Sequence, residues 1–175
     1  MGNRIVWFTG LSGAGKTTIA MAAADRYGCE VLDGDTIRDF FANRDFSREG
    51  RERHLLGIAK MAKMMSKHTD VLCSFITPYE DVREKILDIL PDDAVMVHVS
   101  TSLEVCEDRD VKGLYAKAKA GQVQNFTGRD SSFEAPEPRD ASDLILNTDN
   151  QAEGESLEQL YQAVSPRVAL GQRTT

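Results

Sequence analysis

A glycine-rich loop between an apolar run and a helix-forming segment limits the folds open to this chain more than any other feature. It fits the pattern G-x-x-x-x-G-K-[ST] with the residues Gly10-Leu11-Ser12-Gly13-Ala14-Gly15-Lys16-Thr17. The run from Ile5 to Phe8 is typical of a buried parallel strand, and the segment from Thr18 to Ala24 favours a helix. In such a turn, backbone N–H groups converge on phosphate oxygens, and the helix N-terminus adds positive potential. The motif therefore predicts a phosphate-binding loop.

The residues of this loop have separate expected roles. Lys16 is expected to reach the β- and γ-phosphates of ATP, and the Thr17 hydroxyl is expected to be a Mg²⁺ ligand. Together with Thr18, the whole loop is expected to bind the phosphates of a nucleotide.

Composition places the chain among single-domain globular proteins. Its 175 residues predict one domain over residues 1–170 and a short tail at 171–175. The net charge of −7 argues against nucleic acid or an anionic membrane as a partner. The apolar runs are too short to span a membrane, the N-terminus leads directly into the first strand, and the cysteines (Cys29, Cys73 and Cys106) are scattered. We therefore expect a cytoplasmic protein with reduced, mostly buried thiols.

Strand-like and helix-like segments alternate along the chain, which predicts an α/β fold with a parallel sheet flanked by helices. The expected strands are 5–8, a second one that ends at 31–32, 71–75, 94–99 and 144–146. The expected helices are about 16–27, 49–68, 80–90, 111–121 and 155–165. Ligands bind beyond the carboxyl ends of strands in such sheets. The phosphate loop, Asp33-Gly34-Asp35 and Thr77-Pro78 all fall at those ends.

Asp33 and Asp35 follow the second predicted strand. In an extended segment, residues i and i+2 face the same side, so both carboxylates are expected near one Mg²⁺ and one attacking hydroxyl. The alternative is that Asp35 only caps a helix that starts near Thr36.

Arginines and aromatic residues provide further candidates. Arg38, Arg51 and Arg83 are candidate anion clamps, because a guanidinium donates two parallel hydrogen bonds to a phosphate or sulfate. Phe46 and Phe126 lie in polar surroundings and could stack on a base. The alternatives are solvated surface arginines and phenylalanines that anchor loops against the domain.

A basic segment at residues 109–129 contrasts with the acidic chain around it. It holds Arg109, Lys112, Lys117, Lys119 and Arg129 against the single acid Asp110. Its glycines, Gly113, Gly121 and Gly128, favour a mobile lid that closes over a polyphosphate and excludes water. The alternative is a solvated amphipathic helix with lysine side chains that cover apolar surface.

With these motifs in place, the chain resembles the adenylylsulfate (APS) kinases from about residue 4 to about residue 148. The resemblance rests on the phosphate loop, on residues 32–38 (LDGDTIR), on 74–79 (SFITPY), and most selectively on 107–115 (EDRDVKGLY), 126–128 (FTG) and 134–136 (EAP). Members of that family transfer the γ-phosphoryl group of ATP to the 3′-hydroxyl of APS and form PAPS. The resemblance implies a P-loop kinase domain that uses Mg²⁺ and ATP and is often a homodimer.

The resemblance also implies roles for single residues. Asp33 and Lys16 would be catalytic, with Asp33 and Thr17 near the metal. Arg109 would lie against the adenine of ATP, and Lys112 would close the lid on phosphates. The residues expected on the APS side are Asp35, Arg38, Phe46, Arg51, His54, Ile76, Thr77, Lys112, Phe126 and Thr127, with Phe46 and Phe126 on either side of the APS adenine.

Several positions depart from the usual pattern of the family, and most lie on the acceptor side. The family usually has Asp-Arg-x-x-Asn followed by Ile-Arg-Arg. Here the aspartate is replaced by Gly50, the asparagine by His54, and the two later arginines by Leu56 and Gly57. Glu80 replaces a common arginine, and Gln124 replaces a common lysine.

Three functions follow from these observations. The first is an ATP- and Mg²⁺-dependent APS kinase. The second is a related P-loop kinase that acts on another nucleotide or small-molecule hydroxyl. The third is a nucleotide-binding regulatory module without turnover, which the retained Lys16, Thr17 and Asp33 oppose.

Overall fold

The structure is a computed structural model that describes residues 4–137 and 144–164. The expected tail, residues 171–175, lies outside the described residues. Strands are β1 (Ile5–Thr9), β2 (Glu30–Asp33), β3 (Val71–Ser74), β4 (Val95–Ser100) and β5 (Leu144–Asn147). Helices are α1 (Lys16–Tyr27), α2 (Gly34–Phe40), α3 (Arg48–Met65), α4 (Glu80–Ile89), α5 (Leu103–Arg109), α6 (Leu114–Lys119) and α7 (Glu153–Val164).

The strands form one parallel sheet in the order β2-β3-β1-β4-β5. Side chains of β1 alternate between its two faces. Val6 and Phe8 pack in a core with residues of α1 and α7, whereas Ile5 and Trp7 pack in a second core with residues of α3 and α4. The predicted α/β fold with helices on both faces of a parallel sheet is therefore confirmed.

Strands and helices with strong hydrophobic patterns match the sequence prediction to within a few residues. The short helix α5 was not predicted, α2 was predicted only as the alternative of a helix starting near Thr36, and the expected helix at 111–121 is limited to Leu114–Lys119. Helices α2 and α5 each have seven residues, which are too few for a clear helical period. The three cysteines are unpaired, and Cys73 and Cys106 are buried, as expected. Among the described helices, none combines the length and apolar character that a membrane span requires.

Candidate active site

The phosphate loop connects β1 to α1 at the carboxyl edge of the sheet. Gly10, Gly13 and Gly15 all have positive φ angles, of 148°, 79° and 98°. A Cβ on Gly10 would lie 2.4 Å from the carbonyl oxygen of Val99, so only glycine fits there. The loop therefore takes a backbone path that other residues could not follow.

Lys16 lies inside this loop, at the first residue of α1. It is buried, and its Nζ donates a hydrogen bond to the carbonyl oxygen of Leu11 at 2.6 Å. Burial, and next the positive charge of Lys112, lower the pKa of Lys16 to about 8. The loop thus holds a cation that has lost most of its hydration, which strengthens its attraction for an anion.

Three residues that the sequence analysis did not single out hold the loop from outside. The hydroxyls of Thr101 and Thr148 both donate to the carbonyl oxygen of Ala14, at 3.2 and 2.9 Å. The hydroxyl of Tyr115 donates to the carbonyl oxygen of Ser12 at 2.9 Å. Thr101 and Thr148 directly follow β4 and β5, and that position at strand ends was the signal available in the sequence.

Three oxygen-bearing side chains meet beside the start of α1. The Thr17 hydroxyl donates to Oδ1 of Asp33 at 2.7 Å and lies 3.1 Å from the hydroxyl of Ser74. These come from α1, β2 and β3. Within residues 4–137 and 144–164, no group of three or more His, Cys, Asp or Glu side chains forms a metal cluster. One carboxylate with hydroxyls suits Mg²⁺, which commonly takes its other ligands from phosphates and water.

The geometry expected for Asp33 and Asp35 is wrong, because the chain enters α2 directly after β2. Asp33 is the N-cap of α2, and its Oδ2 accepts hydrogen bonds from the backbone N–H groups of Asp35 and Thr36 at 3.2 and 3.3 Å. Asp35 lies in the first turn of that helix rather than in an extended segment. The two carboxylates therefore do not face one site by the alternation of a strand, and the cap is Asp33, not Asp35.

Asp35 instead contacts the basic segment 109–129. Its Oδ2 accepts a hydrogen bond from Nζ of Lys112, and both side chains are at least half exposed. Lys112 also acts on Lys16 electrostatically. Lys112 of segment 109–129 therefore links helix α2 to the neighbourhood of the phosphate loop.

Arg38 and Phe46 form a pair beside the loop that follows α2. The guanidinium carbon of Arg38 lies 4.4 Å from the centre of the Phe46 ring, within the range of a cation–π contact. Nη1 of Arg38 donates to the carbonyl oxygen of Asp45 at 3.1 Å. Phe46 is 41% exposed, so its ring is accessible to a ligand.

Arg51 joins the Phe46 loop to the lid segment. It is buried on α3, and its Nε donates to the carbonyl oxygen of Phe46 at 2.9 Å. Its Nη1 donates to the Thr127 hydroxyl at 2.7 Å, and its Nη2 donates to the carbonyl oxygen of Asn125. Arg51 is thus not a solvated surface arginine, and three of its five N–H groups hold protein atoms.

Phe126 does not present an exposed ring. It is 7% exposed and packs edge to face against Tyr115, with ring centres 4.8 Å apart. It belongs to the core cluster that contains Leu11 and Ala14 of the phosphate loop. The expectation of an exposed stacking residue is therefore wrong for Phe126, and the alternative of a loop anchor describes it, since its apolar ring is removed from water.

Ile76 and Thr77 follow β3 and touch the start of the phosphate loop. The carbonyl oxygen of Ile76 accepts hydrogen bonds from the Gly10 N–H at 3.3 Å and the Thr9 hydroxyl at 2.7 Å. Thr77 is buried with a φ of 47°, unusual for a β-branched residue, and its hydroxyl accepts from Nε1 of Trp7 at 2.9 Å. Strain of this kind concentrates at ligand sites.

Arg83 is not a free anion clamp, contrary to the expectation. It is 1% exposed, and it donates to the carbonyl oxygens of Thr77 and Glu134 at 2.8 and 2.6 Å. Its Nε donates to Oε2 of Glu80 at 3.0 Å. Glu80, which departs from the family pattern, therefore neutralises a buried cation that holds Thr77 in place.

His54 lies in the wall of an open pocket of about 540 Å³ between the loop after α2 and helix α3. Its Nδ1 lies 3.3 Å from Nδ2 of Asn43, and its Nε2 is buried without a partner among the described residues. Burial, and next the charge of Arg38, lower its pKa to about 4. The imidazole is therefore neutral at neutral pH.

Two acids, Glu107 and Asp110, hold the basic segment 109–129 in place. Asp110 accepts hydrogen bonds from the N–H groups of Tyr115 and Ala116 at 2.9 and 3.0 Å, and Glu107 pairs with Lys119 and Arg129 at 2.8 and 2.7 Å. Arg109, at the end of α5, donates to the carbonyl oxygen of Thr148 at 2.5 Å. Lys112, which pairs with Asp35, and Lys117 and Lys119 are all exposed.

Comparisons with known proteins agree on one family. The family model described as Adenylylsulphate kinase matches residues 2–146. Among the relatives, the adenylyl-sulfate kinase of Bacteroides thetaiotaomicron is 42% identical over 172 residues, covering 94% of this chain and 84% of that protein. The adenylyl-sulfate kinase of Vibrio cholerae is 41% identical over 172 residues, covering 93% of this chain and 78% of that protein.

A solved structure agrees with these relatives. The APS kinase of Mycobacterium tuberculosis, determined in complex with AMPPNP and APS, superposes with a TM-score of 0.85. It is 32% identical, and the match covers 94% of this chain and 98% of that chain.

Proposed function

Because this chain belongs to the adenylylsulfate kinase family, we propose that the residues gathered at the carboxyl edge of its sheet divide the work of that family's reaction. The protein is an ATP-dependent phosphotransferase that phosphorylates APS to PAPS. The observation that carries the assignment of residues is the Thr17–Asp33 contact of 2.7 Å beside the phosphate loop. This contact joins the hydroxyl proposed as a metal ligand to the carboxylate proposed to act on the acceptor, which supports a shared role for the two groups.

On the donor side, residues Gly10 to Thr18 cradle the triphosphate, and Lys16 neutralises charge that develops on the transferred group. The buried position of Lys16 supports this role, because a charge is worth more where water is excluded. Arg109 is the proposed contact to the adenine of ATP. Arg109 donates to the carbonyl oxygen of Thr148, and the hydroxyl of Thr148 donates to the carbonyl oxygen of Ala14 in the loop. These bonds support a position of Arg109 next to the phosphate loop.

Thr17 and Asp33 would hold Mg²⁺, which would neutralise phosphate charge at this site when bound. The set of hard oxygen donors, with the Ser74 hydroxyl 3.1 Å from that of Thr17, fits this ion. Asp33 also orients the attacking hydroxyl and accepts its proton. Its bonds to the α2 N-terminus keep the carboxylate in one orientation while it does so.

On the acceptor side, Arg38, Arg51 and Phe46 form the proposed APS site. Phe46 offers its exposed ring to the adenine, backed by the guanidinium of Arg38. Ile76, Thr77 and His54 line the same region, and Asp35 borders it. Phe126 and Thr127 shape the site from the lid side, since Arg51 ties Thr127 to the carbonyl oxygen of Phe46.

The segment 109–129 would close over the bound nucleotides. Lys112 contacts Asp35 on α2 and acts electrostatically on Lys16, so it already lies between the two halves of the site. On closure it would transfer from the carboxylate to phosphate oxygens, and the closed lid would keep water from the γ-phosphate.

A coupled assay with ATP, Mg²⁺ and APS tests the reaction. We expect PAPS from the wild type, and a loss of about 10²–10³-fold or more in kcat for Lys16→Ala, because Lys16 neutralises developing charge. Lys60→Ala, an exposed lysine on α3, is the matched control and should keep wild-type rates. Folded wild-type protein that makes no PAPS would contradict the proposal.

The departures from the family pattern at His54, Leu56, Glu80 and Gln124 motivate a second hypothesis, in which the acceptor is a different hydroxyl compound. Screening other nucleotides and small alcohols for ATP consumption tests it, and turnover of one of them in preference to APS would favour the related-kinase alternative. The homodimer implied by the family stays a prediction that light scattering after size exclusion can measure.

A further inference from the structure

A buried arginine joins two segments that lie far apart in the chain. Arg83 of α4 is 1% exposed. Its Nη1 donates to the carbonyl oxygen of Thr77 at 2.8 Å, and its Nη2 donates to the carbonyl oxygen of Glu134 at 2.6 Å. Glu80 neutralises the guanidinium, because its Oε2 accepts from Nε at 3.0 Å and also from Nη2. The planar fork of one side chain thus holds the main chain at two places.

Residues 131–134, which we call the strap, are bound to the start of α4 through Glu134. The N–H of Glu134 donates to the carbonyl oxygen of Pro78 at 2.9 Å. Its Oε2 accepts from the N–H of Glu80 at 2.7 Å. With the bond from Arg83 to its carbonyl oxygen, Glu134 therefore uses its N–H, its C=O and its side chain to hold the strap against α4.

The strap continues from the turn that carries Phe126 and Thr127. The carbonyl oxygen of Ser131 accepts from the N–H of Gly128 at 2.8 Å, which closes this turn. At the other end of the turn, Nη1 of the buried Arg51 donates to the hydroxyl of Thr127 at 2.7 Å. Buried arginines on two helices, α3 and α4, therefore hold the turn and the strap at opposite ends.

The backbone of Thr77 depends on such constraints, because its φ of 47° is unusual for a β-branched residue. A strained conformation persists only where the surrounding contacts determine it. The carbonyl oxygen of Thr77 accepts from Arg83 and from the hydroxyl of Thr9, at 2.8 and 3.3 Å, and its hydroxyl accepts from Nε1 of Trp7 at 2.9 Å. Without the bond from Arg83, Thr77 would relax and shift the adjacent Ile76.

We propose that Arg83 is a positioning residue for the APS site. It acts through the main chain, by holding Thr77 and the strap in one arrangement, since the buried guanidinium is fully engaged by protein atoms on both sides. The wall of the site and the turn with Phe126 and Thr127 thus keep a fixed spacing. The inference rests on the proposed function, in which these residues bind APS.

Arg83→Lys tests the role, because lysine keeps the charge but offers one nitrogen in place of the three that donate here. KM is measured for APS and for ATP, each at a saturating concentration of the other. We expect KM for APS to rise about tenfold, since misplaced groups can cost up to about a hundredfold. KM for ATP should stay within about twofold of wild type, because Thr101 and Thr148 hold the phosphate loop through separate bonds.

Hydrogen exchange gives a readout that does not depend on catalysis. In Arg83→Lys, the N–H of Glu134 should exchange about tenfold faster than in wild type, because the strap opens more often, while the N–H groups of α1 keep their rates. A wild type that makes no PAPS would refute the proposed function, and the exchange rates would still report whether Arg83 holds the strap.

Ile86→Ala is the matched control, at a buried position on the same helix whose side chain packs in the core between α3 and α4. It should lower the urea midpoint and leave both KM values unchanged, which separates positioning from loss of stability. If Arg83→Lys does not fold, Glu134→Ala, at an exposed position, removes the bond to the Glu80 N–H and should raise KM for APS about threefold.

Three results would overturn the proposal. They are an unchanged KM for APS in the folded variant, equal increases in KM for APS and for ATP, and an unchanged exchange rate at Glu134 in Arg83→Lys.

Discussion

Lys16 shows how a single residue depends on both its chemistry and its burial. Its place in the phosphate loop follows from the motif, but its pKa of about 8 follows from burial and from Lys112 on the lid. The charged form of Lys16 is therefore less stable in the free protein than in water, and a bound anion stabilises it again. This predicts a coupling between nucleotide binding and proton uptake.

We predict that ATP binding takes up between about 0.5 and 1 proton at about pH 9, because the triphosphate raises the pKa of Lys16 well above its value in the free protein. Titration calorimetry in two buffers of different ionisation enthalpy measures the number. Lys16→Arg, whose guanidinium stays charged, should show no uptake. Binding heats that do not depend on the buffer would contradict the prediction.

Phe46 and Phe126 look alike in the sequence, but they differ in burial. Phe46→Ala should change the free energy of unfolding by less than about 0.5 kcal/mol, as expected for an exposed side chain, and raise KM for APS. Loss of a base-stacking contact worth about 1–3 kcal/mol sets the size of that increase. Phe126→Ala should lower the free energy of unfolding by about 3 kcal/mol or more, because it removes a buried ring.

Urea denaturation of both variants, together with APS kinetics, checks this pair. Equal stability of the two variants would contradict the assignment of Phe126 as an anchor.

At the scale of elements, the junction between β2 and α2 combines the proposed catalytic carboxylate with a helix cap. Asp33 contacts Thr17 through Oδ1 and caps α2 through Oδ2. The same carboxylate therefore caps α2, which carries Asp35 and Arg38, and is the group proposed for the chemistry. Two substitutions can separate these roles.

We predict that Asp33→Asn keeps the cap, since asparagine is a good N-cap residue, while it removes the charge that the hydroxyl and Mg²⁺ require. Its stability should stay near that of wild type, and kcat should fall by about 10²-fold or more. Asp33→Ala should lose the activity and also about 1 kcal/mol of stability. Thermal or urea unfolding beside the PAPS assay distinguishes the two, and a stable alanine variant would argue against the cap.

At the scale of the whole molecule, two partly buried histidines limit stability in acid. Burial is the first cause for both, followed by Arg38 for His54 and by Arg83 for His98, and both pKa values fall to about 4. In the unfolded chain these imidazoles titrate near pH 6.5. Between about pH 6.5 and 4 the unfolded state therefore binds more protons than the folded state, so the free energy of unfolding falls as the pH falls.

We predict a lower urea midpoint at about pH 5 than at about pH 7, with part of the difference removed in His54→Asn and part in His98→Asn. His68→Asn, at an exposed position after α3, is the control. Equal midpoints at the two pH values in the wild type would contradict the prediction.

The sequence predicted best those features that depend on neighbouring residues. The phosphate loop, α1 and the strands of the parallel sheet carry short patterns with a fixed spacing, and the structure confirms them. The prediction from sequence was wrong where the same residues were compatible with both a strand and a helix. The segment after Asp33 has strand-like spacing for its carboxylates, yet it enters a helix, because the Asp33 side chain satisfies the first N–H groups of α2.

Contacts between distant segments were not accessible in the same way. Some of these contacts join segments that are 50 residues or more apart in the chain: the hydrogen bonds of Thr101 and Thr148 to Ala14, and that of Arg51 to Thr127. The burial of Arg83 and Phe126 likewise depends on how such segments pack. Nothing in the local pattern distinguishes a buried arginine from a solvated one.

By itself, the amino-acid sequence determined the phosphate loop, the alternation of strands and helices, and the family, because backbone freedom at glycine and the period of apolar residues act over a few neighbours. Only the tertiary structure decided which carboxylate reaches Thr17, which phenylalanine stays accessible, and that Arg83 is buried between Thr77 and Glu134. Those outcomes depend on excluded volume and desolvation, which arise only when segments far apart in the chain pack together.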